Sequence, residues 1–105
     1  MNPYYKIQFF HQGTDYDALV KYTGFAFEGN ARDGMVVSGA FDPKNTKAPG
    51  YIEFISLDTN GEILSRVHFE ITKMEAPDVG GALLMHCIST GEEGIVGKIS
   101  HVSSQ

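Results

Sequence analysis

Three side chains that can take part in proton transfer share one face of a single predicted strand. Arg66, His68 and Glu70 occupy alternate positions within residues 61–73, and alternate residues of a β-strand point to the same side. A histidine beside a carboxylate and a cation can move a proton at a bound substrate. The pattern predicts either the solvated outer face of a half-buried strand or the working set of a small isomerase or cyclase.

The remaining candidate ligands and nucleophiles lack the spacing that their chemistry requires. The four histidines are His11, His68, His86 and His101, and none lies in a metal-binding motif. Cys87 sits in an apolar run, which predicts a buried thiol rather than a nucleophile. Residues 58–63 resemble part of a calcium loop, but such a loop would need a carboxylate at Val67. We therefore expect no metal and no cofactor.

The aromatic side chains are concentrated near the start of the chain. Eight of the twelve precede residue 28. Because neighbours such as Phe9 and Phe10 point to opposite faces of a strand, one core cannot take them all, and aromatic residues are enriched at pockets and interfaces. The residues predicted to contact a ligand or a partner are Tyr4, Tyr5, Phe10, Tyr22, Arg66, His68 and Glu70.

The elements that position these residues are predicted to be strands. Residues 61–73 alternate between apolar and polar types, with Val67, Phe69 and Ile71 on the apolar face. Asn60 and Gly61 precede this strand, and an Asn-Gly pair favours a type I′ hairpin with positive φ at both residues. Further strands are predicted at 4–12, 16–28, 33–41, 51–57, 82–90 and 95–103, with a bulge or bend at Gly24.

The connections between these strands are too short for crossover helices, so consecutive strands must pair antiparallel. The sequence therefore predicts one all-β domain, residues 1–105, built as a meander of about seven strands that forms a small barrel or sandwich. The first and last strands would then be edges, and their only charges are Lys6 and Lys98. Such edges either pair with each other or invite a second subunit.

Composition narrows the possible partners and the compartment. The formal net charge is −5 and the eight basic residues are dispersed, which disfavours nucleic acid as a partner. The apolar runs are too short for a membrane helix, and the first residues do not resemble a signal peptide. The single cysteine is compatible with a reducing compartment. We expect a cytoplasmic protein, or one in a host cell's cytoplasm if it belongs to a phage or is an effector.

These features favour a non-enzymatic binding or interaction protein that self-associates, most simply as a dimer through the aromatic residues of its first two strands. One alternative is a barrel that holds a small ligand in its mouth. Another is a barrel enzyme of the isomerase or cyclase kind that uses Arg66, His68 and Glu70. A filled apolar interior would favour the interaction protein, and a wide interior with inward polar groups would favour either alternative.

Overall fold

The chain forms a closed antiparallel barrel. The structure is a computed structural model that describes residues 4–23, 25–31, 34–42, 50–75 and 82–102. Its strands are β1 (Tyr4–His11), β2 (Thr14–Thr23), β3 (Ala26–Ala31), β4 (Val36–Ala40), β5 (Gly50–Leu57), β6 (Ile63–Glu75), β7 (Ala82–Ser89) and β8 (Glu92–His101). Each strand pairs with the next, and β1 pairs with β8. The predicted all-β meander is confirmed, in the barrel form.

The eighth strand arises where the sequence predicted a single strand over residues 16–28. β2 ends at Thr23 and β3 begins at Ala26, and these two residues pair with each other across a tight hairpin. The bulge or bend predicted at Gly24 lies outside the described residues. The change in side-chain phase in this segment therefore reflects a reversal of the chain.

Pairing of β1 with β8 removes the two edges that the sequence left open. Tyr5 to Gln8 lie opposite His101 to Lys98. The backbone hydrogen-bonding groups of the weakly charged first and last strands therefore pair with each other. Of the two outcomes expected for these edges, the structure shows barrel closure. The edges consequently give no support to a second subunit, and self-association stays a prediction that needs another surface.

The hairpin between β5 and β6 forms at the predicted place with a different turn. Gly61 has φ +81°, but Asn60 is not among the residues with positive φ, so the predicted type I′ turn is wrong. The Asp58 carboxylate accepts hydrogen bonds from the backbone N–H groups of Asn60 and Glu62, at 2.8 and 2.9 Å. The Asp58 N–H donates to the Glu62 carbonyl oxygen at 2.8 Å, and the Gly61 N–H donates to the Asp58 carbonyl oxygen at 3.0 Å. The loop closed by Asp58 and Glu62 is therefore three residues long and ends in a left-handed glycine, a common hairpin connection.

The pattern with positive φ at both loop residues occurs instead in two other hairpins. Gln12 and Gly13 join β1 to β2 with φ values of 51° and 78°, and Thr90 and Gly91 join β7 to β8 with 51° and 77°. In each of these loops the glycine adopts the left-handed conformation at little cost. The residue before it, Gln12 or Thr90, adopts the same conformation with more backbone strain.

The core lies inside the barrel and is rich in aromatic rings. Phe54 and Phe69 are fully buried, and with Phe9 and Tyr16 they form a cluster whose ring centroids lie 4.7 to 5.9 Å apart. Gly97 makes room for this cluster, because a Cβ there would lie 2.5 Å from the Phe9 ring. The middle of the barrel is therefore packed with side chains.

A local irregularity in β6 changes which of its residues face inward. The register with β7 shifts between Ile71 and Lys73, and the extra residue, Thr72, donates a hydrogen bond from Oγ1 to the His86 carbonyl oxygen at 3.1 Å. Before the shift, odd-numbered residues such as Ile71 face the core. After it, the even-numbered Met74 packs against the core. This bulge places a methionine in the barrel mouth.

Candidate functional site

A small cavity occupies one mouth of the barrel, where β1, β3 and β7 begin and where β2, β4, β6 and β8 end. Its volume is about 170 Å³. The lining side chains are Tyr5, Tyr22, Phe27, Phe41, Met74, Leu83 and Ile99. Four of the seven are aromatic, and most of the wall is hydrocarbon. The cavity can therefore hold a small apolar group but offers few polar contacts.

Strand pairing fixes the aromatic side of the cavity. Tyr22 and Phe27 are direct partners across β2 and β3, and their rings stack at 4.6 Å with an interplanar angle of 23°. Tyr5 approaches from β1, and its ring stands at 81° to that of Tyr22 with centroids 6.1 Å apart. Offset stacking and edge-to-face contact are the favoured arrangements of aromatic pairs, so this wall is held in place by its own contacts.

The Tyr22 hydroxyl is the best-defined polar group of the cavity wall. It donates a hydrogen bond to the Phe41 carbonyl oxygen at 3.0 Å. Burial, and then the negative charge of Asp42, raise the pKa of Tyr22 above its usual value. The phenol therefore stays neutral at physiological pH, and its proton is engaged by the backbone.

The predicted proton-transfer residues lie elsewhere, on the outer wall of the barrel. His68 Nδ1 lies 2.8 Å from Glu53 Oε2, and Arg66 Nε lies 3.6 Å from Glu53 Oε1. The His68 ring stacks on Tyr51 at 5.6 Å with an interplanar angle of 12°. Arg66 and His68 are about half exposed, and Glu70 is also exposed. The group is a surface network that faces outward, and none of its members is among the described residues that line the mouth cavity.

The other two predicted contact residues also lie on the outside. Tyr4 is 45% exposed and lines an open groove on the outer wall with Lys21 and Glu28. Phe10 is 64% exposed and lies opposite Asp15 towards the far end of the barrel. Of the seven predicted site residues, the structure brings only Tyr5 and Tyr22 together at the cavity.

Sequence reasoning missed five lining residues and two members of the surface network. Phe41 follows β4, Met74 lies near the end of β6 and Leu83 near the start of β7. Closure of the barrel brings this side of the mouth together with the tyrosines of β1 and β2. Tyr51 and Glu53 are cross-strand partners of Glu70 and His68. The correct β5–β6 register, taken from the hairpin, would have identified both.

The remaining candidate nucleophile is buried. Cys87 is 2% exposed, and desolvation by burial raises the pKa of its thiol to about 12. A thiol in this state is neither a nucleophile nor a metal ligand at neutral pH, so the predicted buried thiol is confirmed. At the barrel end opposite the cavity, His11 is also buried, with its Nδ1 3.0 Å from Glu92 Oε2.

Comparison with family models, with curated proteins and with solved structures gives no match for this chain. Within the part of the chain that the structure describes, no helix is long and apolar enough to cross a membrane. The site and the fold together define an up-and-down eight-stranded barrel with a packed middle and an apolar mouth.

Proposed function

We propose that the chain is a non-enzymatic binding protein that holds a small, uncharged, apolar molecule in the mouth of its barrel. The observation that carries this proposal is the cavity of about 170 Å³, whose wall is almost entirely hydrocarbon. Concave sites lined by hydrophobic and aromatic side chains are the usual form of a small-molecule pocket. The location matches an alternative expected from the sequence, a ligand held in the barrel mouth. The filled apolar middle of the barrel is the outcome that was expected to favour an interaction protein, so the ligand proposal is supported by the mouth cavity alone.

The size of the cavity limits the size of its ligand. An apolar protein cavity of about 150 Å³ stays dry and binds benzene. The mouth cavity is slightly larger, so the best fit is one ring with a short substituent. Ligands of this size gain only modest binding energy, and we expect a Kd of about 0.1 to 1 mM, equivalent to roughly 4 to 5.5 kcal/mol.

A binding role is preferred to catalysis because of where the polar groups lie. Arg66, His68 and Glu70 face away from the cavity, on the outer wall. A general acid or base must lie within hydrogen-bond reach of the reacting atom, which these residues would not do for a molecule in the mouth. A cytoplasmic location is part of the same proposal, and the buried Cys87 thiol fits a reducing compartment.

Thermal unfolding in the presence of toluene tests the proposal. A ligand at ten times its Kd stabilises the folded state by about 1.4 kcal/mol, so the midpoint temperature should rise with toluene concentration. Leu83→Trp fills the cavity mouth and should abolish the rise. Leu19→Trp is the matched control, because Leu19 is 53% exposed on the outer wall. An equal rise in both variants, or none in the unmodified protein, would contradict binding at the mouth.

Self-association is a second candidate function, favoured by the exposed tip of the β5–β6 hairpin. Leu57, Ile63 and Leu64 are 40%, 52% and 68% exposed there. Among the described residues, β7 pairs with β6 only from Glu70 onwards, so the start of β6 has a strand on one side only. We propose that a second copy of this chain pairs with the exposed start of β6, since exposed apolar edges favour pairing.

The charges beside this tip suit a two-fold arrangement. Glu62 and Arg66 flank Ile63 and Leu64 along the chain. An antiparallel second copy can pack the apolar residues together while Glu62 meets Arg66 of the other copy. The proposed surface thus differs from the aromatic surface of the first two strands that the sequence favoured.

Sedimentation at micromolar concentration distinguishes the two surfaces. Leu64→Lys should shift the protein towards a monomer, because it removes an apolar contact and places two cations close together. Phe10→Asp, the matched change on the outer wall of β1, should leave the association intact. The reverse result would assign the interface to the first two strands, and a monomeric unmodified protein would remove this second candidate.

A further inference from the structure

The cavity wall contains few groups that can form a hydrogen bond with a ligand. Of the seven lining side chains, Phe27, Phe41, Leu83 and Ile99 are hydrocarbon and Met74 contributes a thioether, which is a weak acceptor. Among these seven described side chains, only the two tyrosines carry a hydroxyl group. Any polar selectivity of the lining side chains therefore depends on how these two hydroxyls are engaged.

The hydrogen bond of Tyr22 decides which polarity its hydroxyl offers. A phenolic hydroxyl donates one hydrogen bond and can also accept. Its proton is directed to the Phe41 carbonyl oxygen at 3.0 Å, so the oxygen retains acceptor capacity while the donor is used. A ligand that meets this oxygen must bring its own N–H or O–H group.

The electrostatics of the mouth disfavour an anionic ligand. The Tyr22 hydroxyl donates to the carbonyl oxygen of Phe41 at 3.0 Å, so the next residue in the chain, Asp42, lies beside the cavity wall. Burial, and then the negative charge of Asp42, raise the pKa of the phenol. The chain as a whole carries a formal charge of −5. A carboxylate in an apolar cavity would add a desolvation penalty to this repulsion.

Resting on the proposed function, we infer that the mouth cavity selects an uncharged single aromatic ring bearing one hydrogen-bond donor, of the phenol class, which donates to the Tyr22 hydroxyl oxygen. The ring size follows from the cavity volume of about 170 Å³. The donor follows from the direction of the Tyr22–Phe41 hydrogen bond. The neutrality of the ligand follows from the negative charge of Asp42 beside the cavity wall.

Equilibrium binding of three single-ring probes tests this inference. Toluene, phenol and benzoate are each titrated into the protein, and the Kd of each is measured by NMR. In an apolar cavity without a partner, phenol would bind at least tenfold more weakly than toluene, because its hydroxyl would lose its bonds to water. We expect phenol to bind within about threefold of toluene, and benzoate at least tenfold more weakly than either, since burying an unpaired charge is costly.

Tyr22→Phe should raise the ratio of the phenol Kd to the toluene Kd about tenfold, since the acceptor is removed while the ring remains. Tyr5→Phe is the matched control, because it deletes the other hydroxyl of the wall, and it should leave the ratio unchanged. If Tyr22→Phe does not fold, anisole replaces the variant, because it keeps the ring and oxygen of phenol but lacks the donor. Anisole should then bind at least fivefold more weakly than phenol, whereas anisole binding as tightly as phenol or more tightly would overturn the inference.

The outcomes separate the inference from the proposed function. If toluene binds but phenol is tenfold weaker and the ratio is the same in Tyr22→Phe, the donor preference is wrong and the apolar site stands. A ratio that changes only in Tyr5→Phe also overturns the role of Tyr22. If none of the probes perturbs the methyl signals of Met74, Leu83 and Ile99, both the inference and the proposed function fail.

Discussion

Replacing Phe69 with alanine removes the side chain at the centre of the aromatic core. Phe69 is fully buried, and its ring contacts those of Phe9, Tyr16, Phe54 and His11 at centroid distances of 4.7, 5.6, 5.9 and 5.3 Å. A Phe-to-Ala change at such a site costs about 3 to 5 kcal/mol, through lost transfer energy and the cavity left behind. The rigid strands on all sides favour the upper part of this range.

That loss is a large share of the stability of a domain this size, which is about 5 to 15 kcal/mol. Urea unfolding monitored by circular dichroism should show a lower midpoint with an unchanged slope, and the thermal midpoint should fall by at least about 12 °C. Phe10→Ala is the matched control, because Phe10 is 64% exposed, and it should change stability by less than about 0.5 kcal/mol. A loss below about 1 kcal/mol for Phe69→Ala would refute the inward register of β6.

Three further perturbations test other parts of the structure. Gly97→Ala should destabilise the fold by about 1 to 3 kcal/mol, because the new Cβ would lie 2.5 Å from the Phe9 ring; an unchanged urea midpoint would contradict that packing. Gly61→Val should cost about 1 to 2 kcal/mol because φ is +81°, and Gly61→Asn, which tolerates that conformation, should cost less in the same assay. Burial raises the pKa of Cys87 from 9.0 to about 12, so the folded state keeps a proton that the unfolded state loses. Stability should therefore fall as pH rises above about 9, and urea unfolding of Cys87→Val at pH 7, 9 and 10 should show a smaller fall.

The architecture was predictable because alternation and turn residues are local signals. The apolar face of residues 61–73 identified the inward Phe69 and Ile71, and Asn60-Gly61 marked the hairpin. The turn type was not predictable from that pair alone, because the Asp58 carboxylate two residues earlier bonds the loop backbone and selects a different conformation. The bulge at Thr72 depends on pairing with β7, and no local signal marks it.

The candidate site was less predictable than the fold because it exists only after closure. Tyr5 and Tyr22 were identified from aromatic clustering, without any indication that they meet in one cavity. Arg66 and His68 were predicted as site residues because of their chemistry. The alternation that places them on one face of the strand also places them outside the barrel. The opposite inward positions of that strand are filled by core residues such as Phe69. A polar stripe on a barrel strand is thus weak support for catalysis unless the interior is open.

Pairing of β1 with β8 also has a consequence for the order of folding. Every other strand pair joins neighbours in the chain, whereas this seam joins Tyr5 to His101, and the Val102 N–H donates to the Tyr4 carbonyl oxygen at 3.0 Å. Each doubling of the loop that a contact closes adds about 0.6 kcal/mol of entropic cost, so the seam is the most expensive contact to form from the unfolded chain. The hairpins should therefore assemble first and the seam last, and substitutions along it should mainly change the unfolding rate.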